Sequence, residues 1–170
     1  MIRFIGAGMI IAASAAAGAY MNSRLRKRVK HLDGFAAALE YLKAHICFSG
    51  YEMEKALRLT DESCSVRGVG GVFRKTAEDM KEYGIKKAWK RAVYINADKL
   101  CLKPADADAL ASLGERLGLT DAEDQKKNID NVLVSLSICR AAAVKEYEKN
   151  GRLYRSCGVL CGALAALLLI

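Results

Sequence analysis

The chain has 170 residues, a single proline, six cysteines and a net charge of +8. Setting its two uncharged ends aside leaves about 134 residues, enough for one domain with a real core. Much of the positive excess sits beside those ends, where membrane orientation and anionic lipid account for it, so the charge does not by itself point to nucleic acid.

Phe4 to Met21 contains no charged residue. Eighteen residues at about 1.5 Å each can cross a hydrocarbon core of about 30 Å, which predicts an N-terminal membrane anchor over residues 1–21. The short basic start and small residues Ala13, Ala15 and Ala17 also fit a secretory signal cleaved near residue 17. Arg24, Arg26, Lys27, Arg28 and Lys30 follow at once and resist translocation, which favours a retained anchor. Gly8, Ala12 and Ala16 share one face of that segment. They form either a packing face for a neighbouring helix in lipid or the ordinary small-residue content of such a helix.

Apolar residues then recur at intervals of three and four. Leu25, Val29, Leu32, Phe35, Leu39, Leu42 and Ile46 predict a helix running out of the anchor and stopping near Ser49-Gly50. Met53, Ala56 and Leu57 predict a short second helix, and Thr60 to Gly71 reads as a Ser/Gly-rich loop. Within it, Gly68-Val69-Gly70-Gly71 lacks the preceding strand and following Lys-Ser/Thr of a phosphate loop and reads as a flexible connection. A third helix is predicted over Val72–Tyr83, with Phe73, Ala77 and Met80 as its stripe and Gly84 as its end. A fourth is predicted over Ile85–Leu100, with Ala88, Trp89, Ala92 and Ile95 inward. Lys86, Lys87, Lys90 and Arg91 around Trp89 read as its solvated face in preference to an anion patch. Pro104 suits the first turn of a fifth helix carrying Leu110, Leu113 and Leu117. Asp121, after Gly118, suits an N-cap for a last helix running from about Ala122 through Ile129, Val132, Leu136, Cys139, Ala143 and Tyr147.

Ser156 to Ile170 is uncharged to the end of the chain and follows Lys145, Lys149, Arg152 and Arg155. At roughly 22 Å as a helix it crosses a bilayer if Leu153 and Tyr154 join it and Arg155 snorkels. Gly158 and Gly162 give it a G-x-x-x-G face. Basic residues on the inner side of both anchors place the middle in the cytoplasm. The expected organisation is all-α: a helical bundle of about six helices over residues 22–155, flanked by N- and C-terminal transmembrane helices over 1–21 and 156–170.

No constellation for catalysis, cofactor binding or metal ligation is predicted. Cys47, Cys64, Cys101 and Cys139 are scattered without a C-x-x-C pair. Cys157 and Cys161 lack a nearby histidine, which makes a poor metal site and fits small packing residues better. His31 and His45 have no local carboxylate-and-nucleophile pairing, and His45 reads as a partly exposed polar residue. The function classes left are an assembly component or a membrane-tethered regulatory adaptor that binds a soluble protein.

The stretch Leu113-Gly114-Glu115-Arg116-Leu117-Gly118-Leu119-Thr120-Asp121, with Gln125 and Ile129, has the form LGxxLGxxDxxxQxxxI. Together with Gly6 in the first anchor, Leu39, Leu42, Ile46 and Gly50, Ala88-Trp89 and the closing Gly158-Val159-Leu160-Cys161-Gly162, it resembles the stage III sporulation protein AB family. The chain departs from the family pattern at His45, at Tyr51-Glu52-Met53 and in its larger number of cysteines. The resemblance implies a mother-cell membrane protein of a channel-like complex joining mother cell and forespore. It also implies a soluble part similar to the helical cytoplasmic domain of the type II secretion inner-membrane platform protein. Implied partners are a cytoplasmic ATPase, the membrane subunits of the complex and an oligomeric assembly. The motif itself reads as a fixed helical elbow, with a docking surface as the functional alternative.

Overall fold

The computed structural model describes residues 2–47, 51–115, 117–118 and 122–169, without side chains at 2–5, 7, 11, 122, 152, 155, 158, 159, 161–163 and 165–169. Among the described residues there are six α-helices: α1 (Ile2–Cys47), α2 (Met53–Ser63), α3 (Arg67–Tyr83), α4 (Ile85–Asn96), α5 (Pro104–Ala111) and α6 (Ala122–Leu169). A single 3-10 turn, Ser112–Glu115, follows α5. Among the described residues there is no strand, so the protein is all-α. The chain divides into two compact units, residues 28–141 and residues 1–27 with 142–170, and α1 and α6 contribute to both. Among the described residues no helix is long and apolar enough to cross a membrane. Part of Phe4–Met21 and most of Ser156–Ile170 lie outside the residues whose side chains are described.

In the 28–141 unit the helical periodicity sets the core. Leu32, Phe35, Leu39, Leu42 and Ile46 fall on one stripe of α1 and are buried. Leu57 of α2, Val72 and Phe73 of α3, Trp89 of α4, and Ile129 and Leu136 of α6 are likewise buried, all essentially without solvent contact. Three aromatic rings link the layers. Phe35 and Phe73 lie 6.4 Å apart, and Phe73 meets Trp89 edge-on at 5.2 Å. Such tilted and edge-on pairs add roughly 0.5–1.5 kcal/mol each beyond area burial.

Two expectations are corrected here. The Ser/Gly-rich segment is not a long loop, because α2 continues to Ser63 and α3 begins at Arg67, leaving only Cys64–Val66 between them. Gly68 and Gly70 serve packing inside that helix. A Cβ on Gly70 would lie 2.5 Å from Asp61 Oδ1, and one on Gly68 would lie 2.9 Å from Leu100 Cδ2. Small residues thus let the start of α3 press against α2 and the turn after α4. The second correction is Ile95, which is 58% exposed, while Val93 takes the inward position. From Trp89 the buried stripe continues at three and four residues, to Ala92 and Val93. A step of six turns Ile95 away. The fourth helix also ends four residues early, at Asn96, where Leu100 N–H donates to Asn96 O and Leu102 N–H donates to Ala97 O in tight turns that carry Leu100 into the core.

One polar pair is buried within this core. Arg28 is 6% exposed and Asp106 has no exposure. Arg28 Nε donates to Asp106 Oδ2 at 2.7 Å and Arg28 Nη2 to Oδ1 at 2.8 Å. Lys103 N–H adds a bond to Oδ2 at 2.8 Å and so caps the start of α5. Arg28 therefore belongs to the helical bundle and not to the lipid-facing basic cluster in which its neighbours place it. His31 Nδ1 lies 2.7 Å from Leu100 O, one turn further along α1.

In the unit of residues 1–27 and 142–170, α1 and α6 approach closely at Gly151. A Cβ there would sit 2.6 Å from Asn22 Oδ1 and 3.4 Å from the Tyr147 ring. Gly8 has no atom within 4 Å of where its Cβ would be, and Ala12 and Ala16 are exposed. Gly158 and Gly162 lie on α6, but their surroundings are outside the described residues.

Candidate functional site

The elbow between α5 and α6 is built on two glycines with different tasks. Gly114 sits in the 3-10 turn against α4. A Cβ there would lie 2.9 Å from Trp89 Cδ1 and 3.2 Å from Lys86 O, so only glycine lets this turn touch the α4 backbone. Gly118 has φ +75°, in the left-handed region where a side chain is strained. Leu113 and Leu117, each just before one of these glycines, are fully buried, and they share the core with Leu110 and Ile129.

Hydrogen bonds lock the corner. Trp89 Nε1 donates to Leu110 O at 2.7 Å, tying α4 to the end of α5. Asn128 Nδ2 donates to Leu113 O at 3.1 Å from one turn and a half into α6. Asn128 was not singled out by the motif, although a polar residue just before the buried Ile129 marks the edge of the helix stripe. Gln125 is half-buried on α6, and Asp121 lies outside the described residues.

Charge pins the outer surface of the same corner. Glu115, the third residue of LGxxLG, pairs with both Lys86 and Lys90 of α4. These two ammonium groups hold its carboxyl down to about pKa 2, the hydrogen bond from Lys86 being the larger effect and that from Lys90 next. Trp89 itself is fully buried and Arg91 lies over the Tyr83 ring, its guanidinium carbon 5.1 Å from the ring centre. The basic run on α4 is thus a solvated face around a core tryptophan, and two of its lysines are committed to the elbow.

The arrangement offers shape and fixed charge for contact with another molecule. Cys47, Cys64, Cys101, Cys139 and Cys157 are free thiols. Among the described residues no group of His, Cys, Asp and Glu side chains is placed to hold a metal ion. His45 is half-buried and stacks at a tilt on Tyr51, with ring centres 6.0 Å apart.

The sequence model of the family described as Stage III sporulation protein AB matches residues 3–170. The chain belongs to this family. It is 28% identical over 172 residues to "Stage III sporulation protein AB" of Bacillus subtilis (strain 168), covering all of both chains. The fold is also similar to a solved structure titled "Stage III sporulation protein AB (SpoIIIAB)". That structure is 24% identical, with a TM-score of 0.64, and the likeness covers 71% of this chain and 96% of that one. The elbow, the Trp89 contact and the two apolar ends thus belong to a sporulation protein.

Proposed function

We propose that the protein is a non-enzymatic platform of the stage III sporulation complex, held in the mother-cell membrane by residues 1–21 and 156–170. Its helical part, residues 22–155, lies in the cytoplasm and links a cytoplasmic ATPase to the membrane subunits. The observation that carries this reading is the extent of the family match, residues 3–170, which runs through both uncharged ends as well as the bundle. Basic residues on the inner flank of each end give the orientation. The helical part supports a scaffold role, because its buried polar pair, the close contact at Gly114 and the left-handed turn at Gly118 all serve the fold. The motif residues Leu113, Gly114, Leu117, Gly118, Asp121, Gln125 and Ile129 then hold an elbow whose exposed side is a docking surface. Gly8, Ala12, Ala16, Gly158 and Gly162 are the small residues through which the anchors meet neighbouring helices in the membrane.

The topology is tested by a cysteine-free variant carrying Lys87→Cys, since Lys87 is exposed on α4. An impermeant maleimide should label it only after the cells are opened. Labelling in intact cells would place the helical part on the wrong side and end the platform reading.

A further inference from the structure

Helix α3 carries three glycines in its first two turns, and among the described residues one of them meets no close neighbour. Gly68 and Gly70 are excluded from bearing a side chain by Leu100 and Asp61. The nearest atom to a Cβ on Gly71 would be Arg74 Nη2, the far end of a flexible side chain, at 3.8 Å. Alanine would fit there and favours the helix over glycine. Gly71 thus leaves open space above the start of α3.

Gly71 opens onto a groove of about 620 Å³ between α3 and α4. The lining is small and recessed at Gly71 and Ala92 and exposed at Arg67, Arg74, Arg91 and Ile95. The two carboxylates in the groove are held internally: Lys75 Nζ lies 2.9 Å from Asp79 and 3.8 Å from Glu78. Arg74 reaches Asp61 only at 3.9 Å and stays 60% exposed. The arginines thus set the sign of the groove. From Arg67 to Glu78 the groove follows α3 for roughly 16 Å, about three turns of a helix laid along it. Paired helices offer such a groove to a third helix, and small residues at its floor permit close approach.

We propose that this groove seats an acidic helix of a partner protein. Small side chains of that helix would rest on Gly71 and Ala92, its Asp or Glu residues would meet Arg67, Arg74 and Arg91, and Ile95 would cover its apolar edge. This rests on the reading of the protein as an assembly component and names the surface and the chemistry of one contact.

The test is photo-crosslinking of the full chain in sporulating cells, with benzoylphenylalanine at Ile95 and, as a control on α6, at Val134. The captured segment is mapped by mass spectrometry. The expected product at Ile95 is an acidic helical segment of a different protein. Its yield should fall about ten-fold or more in Arg74→Glu and Gly71→Leu, a loss typical of a central contact. A synthetic peptide of the mapped segment should bind the purified chain with the same dependence on Arg74. Gly71→Ala should raise the melting temperature while lowering the crosslink, a split that a purely structural glycine would not give. Crosslinks to lipid, to a second copy of the chain, to a segment without acidic residues, or to nothing would overturn the proposal, as would yields unchanged in Arg74→Glu. If cells lacking the protein fail to sporulate while Arg74→Glu and Gly71→Leu cells sporulate normally, the groove is refuted and the platform reading stands. If cells lacking the protein sporulate normally, the platform reading itself fails.

Discussion

Asp106→Asn should be the most damaging single polar substitution in the helical bundle. Asp106 is fully buried, and it receives two bonds from an Arg28 that is only 6% exposed. Asparagine keeps the shape and can still accept from Lys103 N–H, but it removes the charge. The buried Arg28 then loses the charge that Asp106 sets against it. Breaking one side of a buried pair costs about 3–5 kcal/mol, a large share of the roughly 5–15 kcal/mol that stabilises a typical domain. For a chain of this size each kcal/mol lowers the melting temperature by about 2–4 °C, so the expected drop is roughly 6–20 °C. Replacing both partners by apolar residues, Arg28→Met with Asp106→Leu, should recover most of it, because the desolvation of two charges is then no longer required. The pH dependence has a definite sign. Burial pushes the Asp106 carboxyl up, but the Arg28 hydrogen bonds and the Lys103 N–H outweigh it, and the net shift is downward. The stabilisation is therefore present above the ordinary carboxylate range and is lost as the pH falls through the depressed folded value. The assay is thermal unfolding of the full chain in detergent, followed by circular dichroism. Melting of Asp106→Asn within about 2 °C of the parent, or a double variant no more stable than the single one, would refute the reasoning.

Gly114→Ala should destabilise by about 1–3 kcal/mol, because the added methyl group meets Trp89 and the Lys86 carbonyl; denaturant unfolding followed by Trp89 fluorescence measures it. Glu115→Gln should lower stability at neutral pH, and its difference from the parent should shrink as the pH falls from about 4.5 to about 2, the unfolded and folded values of the carboxyl. A difference that persists at pH 2 would mean the Lys86 and Lys90 pairs are not its cause. Gly162→Leu should reduce recovery of partner membrane subunits after detergent extraction more than Leu167→Ala does, with insertion unchanged in both. Equal recovery would count against a packing role for the G-x-x-x-G face.

The helices were legible in the sequence wherever an apolar stripe met a clear stop. Leu32 to Ile46 reads as a helical face and is one, and Gly84, with φ +74°, ends α3 where expected. The start of α3 was not legible, because glycines at a close contact and glycines in a loop look alike until their neighbours are known. Gly70 against Asp61 is settled by tertiary packing alone. At the elbow, the motif gave the buried leucines, but α5 ends at Ala111, before the motif begins, so Leu113 sits on the 3-10 turn and Leu117 beyond it and neither belongs to the stripe of the fifth helix. The bonds that fix it come from Trp89, outside the motif, and from Asn128, at a position the motif leaves unspecified. The Arg28–Asp106 pair joins residues 78 apart in the chain. Its one sequence signal is position: Arg28 stands one turn before Leu32 on the buried stripe of α1, where a cation must find a counter-ion.

The most direct measurement of the platform role is affinity purification of the full chain from sporulating cells after mild crosslinking, with recovered proteins identified by mass spectrometry. The expected result is recovery of the membrane subunits of the stage III complex together with its cytoplasmic ATPase, and loss of the ATPase alone when the helical part is deleted between the two anchors. Recovery of a soluble regulatory protein with none of these subunits would contradict the platform reading and favour a membrane-tethered adaptor.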